Sequence, residues 1–109
     1  MQDDFDLDAI LTITTGVKCT DDFNKVYELF WFIFEDDLIG PLGIGMLKDT
    51  ARNHILRIHP ELKNVRYDQS MDIDTWVNNQ KEYFGDKLTI SILGENVIKL
   101  EKQSYASNR

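Results

Sequence analysis

Cysteine is nearly absent from this chain: Cys19 is the single one in 109 residues. One cysteine excludes an internal disulfide and a multi-cysteine zinc site, which points to a reducing compartment. Long apolar runs are missing too. The longest, Leu29 to Phe34, has six residues flanked by acids, far short of the ~20 that a bilayer-spanning helix needs. The first residues, MQDDFDLD, have no apolar stretch of the kind a secretory signal carries. Basic residues are scarce in the first forty positions, which hold Lys18 and Lys25 against ten acids. The other sixty-nine positions hold ten bases and nine acids, so the net charge of −7 comes from one end of the sequence. Such a field attracts basic protein surfaces and repels nucleic acid and anionic lipid.

The rest of the composition is that of a folded domain. Apolar residues make up 42% and charged residues 28%, which fits a globular chain. The length predicts a single compact domain over 1–102, and residues 103–109 read as a frayed tail.

Periodicity predicts an α+β fold, mainly helical, with about four helices and a C-terminal β-hairpin. Residues 5–15 read as a short helix stopped by Gly16, with Asp6 or Asp8 to cap it. The β-branched run Thr12 to Thr15 is the opposing, strand-like signal. Thr20 or Asp21 caps the next helix, about 20–35, which is apolar on nearly every face and therefore central. Tyr27, Phe30, Trp31 and Phe34 are its expected core, packed by Ile55, Trp76 and Phe84. Residues 35–46 contain Gly40, Pro41, Gly43 and Gly45 and read as an irregular, exposed loop. A third helix spans Leu47 to Ile58, where Leu47, Ala51, His54, Ile55 and Ile58 share one face, and Pro60 stops it. Residues 61–71 are a polar connection. Asp72 caps a fourth helix that ends at Gly85. Alternation over Leu88 to Ile92, a turn at 94–96 and a second run from Val97 to Glu101 predict the hairpin, about 88–101.

No motif for chemistry survives inspection. Asp4-x-Asp6-x-Asp8 opens like a calcium loop, but the required glycine and glutamate positions hold Ala9 and Thr15. The Gly40–Gly45 segment lacks the preceding strand and the Lys-Ser/Thr pair of a phosphate loop. His54 and His59 are five apart, the wrong spacing for a metal pair on a helix. His54 lies on the apolar stripe and reads as a core histidine. Acidic neighbours blunt Cys19 as a nucleophile. The sequence therefore predicts no enzyme, no cofactor and no metal.

Leu11-Thr12-Ile13-Thr14-Thr15-Gly16 resembles the "L-S/T-x-T-T-G" opening of an uncharacterised family of small phage and prophage proteins. Val26-Tyr27-Glu28-Leu29, Asp36-Asp37-Leu38, His59-Pro60-Glu61-Leu62, Trp76 and Phe84-Gly85 follow in the family's order, over about residues 6–93. The chain departs at Val17-Lys18-Cys19 and at Gly40-Pro41-Leu42-Gly43, where the family has other residues. The resemblance implies a phage-encoded accessory protein of the bacterial cytoplasm.

Charge and resemblance together predict a protein that binds a host or defence protein through its basic surface, as an anti-CRISPR or other anti-defence inhibitor does. Asp21, Asp22, Glu35, Asp36 and Asp37 are the expected charged contacts, and Leu38, Ile39 and Leu42 the apolar anchors. The alternative is a phage assembly or self-associating structural protein, a homodimer included, joined through the aromatic helix or an exposed hairpin edge. Direct contact with nucleic acid or membrane is not expected.

Overall fold

A computed structural model describes residues 1–95. The chain is α+β and mainly helical: strand β1 (Gln2–Asp6), helices α1 (Leu7–Thr15), α2 (Asn24–Phe34) and α3 (Pro41–Ile58), a 3₁₀ turn (Pro60–Leu62), α4 (Ile73–Phe84), strand β2 (Lys87–Ser91), and a second 3₁₀ turn (Leu93–Glu95).

The strand expected at Leu88 forms as β2, but it pairs antiparallel with β1, from Gln2↔Ser91 to Asp6↔Lys87. The proposed hairpin partner, Val97 to Glu101, and the tail 103–109 lie outside the described residues. Nothing local announces β1. Three of its five residues are aspartates, which strands disfavour, and Phe5 is its one apolar anchor, tilted against Phe32 at 5.0 Å.

The fold's most completely buried helix is α1. Seven of its nine residues are buried, so the β-branched run is a core helix surface rather than a strand. Gly16, at φ 76°, ends it in the left-handed conformation that glycine adopts without strain. Asp6 occupies the N-cap position, yet its carboxylate turns to Lys25 instead of the helix. α2 contributes Val26, Leu29, Phe30 and Ile33 to the core. Tyr27, Trp31 and Phe34 are only half-buried, as is Phe84, while Ile55 and Trp76 are buried as expected. The α2 cap also moves: the helix begins after Phe23, and the Asp22 carboxylate accepts the Asn24 N–H at 3.1 Å. Asp72 and Gly85 bound α4 as predicted, with Thr75 N–H donating to Asp72 at 3.2 Å.

The largest correction concerns residues 41–46. They are helical, and α3 starts at Pro41 rather than Leu47. Proline favours the first helical position because its missing N–H has no helical partner there, so the glycine-rich loop shortens to residues 35–40.

Both histidines fasten α3 and its end to β2. His54, buried, donates from Nε2 to the Ser91 carbonyl at 2.7 Å, and its Nδ1 accepts from Arg57 Nη2 at 2.9 Å. His59 Nε2 donates to the Thr89 carbonyl at 2.7 Å, and Nδ1 faces Glu61 at 3.0 Å.

Candidate functional surface

The predicted contact residues divide between the two ends of α2. Asp21 and Asp22 precede the helix; Glu35, Asp36 and Asp37 follow it, and all five are exposed. Eleven helical residues separate the groups, about 16 Å at 1.5 Å per residue. They therefore do not form one patch.

The C-terminal group sits on a tightly built turn. Glu35 has φ 53° and ψ 42°, the one non-glycine residue with positive φ among the described residues. Its N–H reaches Phe32 O at 3.3 Å, and Asp36 N–H reaches Trp31 O at 3.1 Å, which satisfies the last carbonyls of α2. The Asp36 carboxylate accepts the Leu38 N–H at 2.9 Å. The Trp31 indole N–H donates to the Ile39 carbonyl at 2.8 Å, pinning the turn to α2. Ile39 is itself buried, so it is a core residue and not the surface anchor expected of it. A Cβ on Gly43 would lie 3.1 Å from Ile39 Cγ2; the glycine lets α3 start against that side chain.

This frame displays three large apolar side chains. Leu38 is 89% exposed, Leu42 80% and Met46 76%. Leu42 and Met46, at i and i+4 in α3, are neighbours on one helix face. The helical start at Pro41 thus converts part of a predicted loop patch into a rigid apolar ridge, with Glu35, Asp36 and Asp37 just before it in the chain.

The remaining N-terminal acids are partly neutralised. Lys25 bridges Asp6 at 3.0 Å and Asp8 at 3.3 Å, and Lys87 lies 3.7 Å from Asp6. The Lys25 ammonium beside Asp6 holds that carboxyl below its usual range. Thr89 donates its hydroxyl to Asp4 at 2.6 Å. Among the described residues, no three His, Cys, Asp or Glu side chains gather as a metal site, and no helix is long and apolar enough to cross a membrane. Cys19 is buried, and burial pushes its thiol pKa up, with the Asp8 charge adding to the effect.

Compared with known proteins, the chain matches no family model, no curated protein and no solved structure.

Proposed function

We propose that this protein is a phage-encoded inhibitor that docks on a basic surface of a bacterial host or defence protein, an anti-CRISPR or anti-defence type of activity in the host cytoplasm. The observation that carries the reading is the pairing of a rigid, exposed apolar ridge with three exposed acids. Contiguous exposed apolar patches rimmed by polar residues mark interaction sites, and Leu42 and Met46 adjoin on one exposed helix face. Leu38, Leu42 and Met46 are the anchors that set residence time, and Glu35, Asp36 and Asp37 steer a cationic partner into register. Proteins that handle nucleic acid carry Lys/Arg grooves for phosphate backbones, and an acidic surface with an apolar foothold competes for such a groove without chemistry. The order of short phage-family motifs supports the source.

Affinity capture from bacterial lysate tests the idea, with the parent beside two variants. Glu35→Lys/Asp36→Lys/Asp37→Lys and Leu42→Ser/Met46→Ser each alter exposed side chains and leave the core intact. Both should lose the parent's partner, and the parent's capture should weaken with salt as the Debye length shrinks to ~3 Å at 1 M. A partner retained by both variants defeats the proposal. A salt-resistant dimer on a sizing column, abolished by Leu42→Ser/Met46→Ser, assigns the ridge to self-association instead.

A further inference from the structure

Two adjoining cavities open beside the C-terminal half of α3. The first, about 540 Å³, is lined by Arg52, Asn53, Leu56, Arg57, Pro60 and Lys63. The second, about 320 Å³, shares Arg52 and Lys63 and adds Arg66, Tyr67 and Thr14 among others. Shared walls make them one groove, of a size that small ligands occupy.

The lining is cationic in a protein of charge −7. Arg52, Arg57, Lys63 and Arg66 face the groove, and no carboxylate lines either cavity. The one nearby acid in the turn, Glu61, is engaged by His59. None of the four cations forms an ion pair among the described residues. Two are pre-positioned by neutral acceptors. Arg52 Nε donates to the Thr14 carbonyl at 3.0 Å, leaving its terminal N–H groups for another acceptor. Arg57 gives one N–H to His54 Nδ1, whose ring is fixed by Ser91 on the other side, and keeps the rest of its five donors. Thr14, in the wall of the second cavity, is buried, and its hydroxyl has no hydrogen-bond partner among the described residues. The Thr14 carbonyl, not this hydroxyl, is the atom that meets Arg52.

We infer that this groove binds a small polyphosphate-bearing molecule, its phosphoryl oxygens shared among Arg52, Arg57, Lys63 and Arg66. Guanidinium forks suit phosphate because they offer paired, charge-assisted donors. Four unpaired cations call for a ligand with several negative charges close together. A nucleic-acid strand is disfavoured, because the net charge of −7 repels a long polyanion beyond the groove. The groove begins at Arg52, six residues and about 9 Å along α3 from Met46, and shares no residue with the Leu42/Met46 ridge. The inference therefore stands independently of the proposed partner.

Titration calorimetry at low salt, with sodium tripolyphosphate and then ATP as probes, tests it. Both should bind with one site per chain. Lys63→Gln, which replaces an exposed side chain, and Arg57→Gln should each weaken binding about tenfold, the loss of one charge-assisted contact. Lys18→Gln, a cation outside the groove, should leave affinity unchanged. Absence of heat with both probes overturns the inference, as does equal weakening by Lys18→Gln. A ten-nucleotide single strand or a poly-glutamate peptide binding more tightly than tripolyphosphate overturns it in favour of a macromolecular ligand.

Discussion

Glu35 is held where a side chain is costly. A left-handed conformation in a non-glycine residue costs about 1–2 kcal/mol, and a carboxylate at a helix C-terminus also opposes the helix dipole. Glu35→Gly should therefore raise stability by about 1 kcal/mol, read as a higher denaturant midpoint with unchanged m-value. Strain retained at an exposed turn fits a residue kept for contact. His54 makes a different residue-scale prediction. Burial, with the nearby Arg57 charge, holds its imidazole below the ordinary value of 6.5. The unfolded chain takes up a proton near 6.5 that the folded protein resists. Stability is thus fully present above about pH 6.5 and falls as pH drops from there toward the folded value. His54→Phe removes the proton and both hydrogen bonds. It should cost about 1–3 kcal/mol at pH 7.5 and flatten the decline between pH 7 and 5, measured by urea denaturation at each pH.

At the scale of elements, α3 shows best what a sequence does and does not carry. The stripe from Leu47 to Ile58 was legible because burial repeats every helical turn. The six residues before it were not, since Gly43 and Gly45 are poor helix formers whose cost is met by Pro41 at the start and by packing on Ile39. Gly45 has open space around its Cα, so Gly45→Ala should stabilise the protein by about 0.5–1 kcal/mol, seen as a higher melting temperature. β1 was illegible for a related reason: its partner lies some 85 residues away and its own residues are polar. The central role of α1 was hidden by the aromatic content of α2, much of which is only half-buried. Ile10→Ala, at a fully buried α1 position, should cost about 2–5 kcal/mol. Of the candidate surface, the exposed acids and the exposed Leu38 and Leu42 were readable from composition, whereas Ile39 was misassigned because its burial comes from tertiary packing beside Gly43 in the core. The basic groove was missed although residues 48–66 carry five bases and two acids. The acidic total masks that local excess.

The whole molecule keeps its two charged regions apart, with acids around β1 and α2 and cations around the end of α3. Among the described residues the sheet has two strands, β1 and β2, and such a sheet has two edges for its size. On β2 the outward carbonyls of Thr89 and Ser91 are occupied by His59 and His54. On β1 the strand carries Asp3, Asp4 and Asp6. A strand from another molecule therefore meets occupied acceptors on one side and like charge on the other. The consequence is resistance to fibre growth, since cross-β stacking begins by adding a strand to an open edge. The protection rests on few side chains: replacing His54 and His59 frees both carbonyls of β2. Concentrated protein should stay free of thioflavin-positive fibrils, and fibrils should seed first in a variant that combines His54→Phe and His59→Ala with Asp3→Asn and Asp4→Asn.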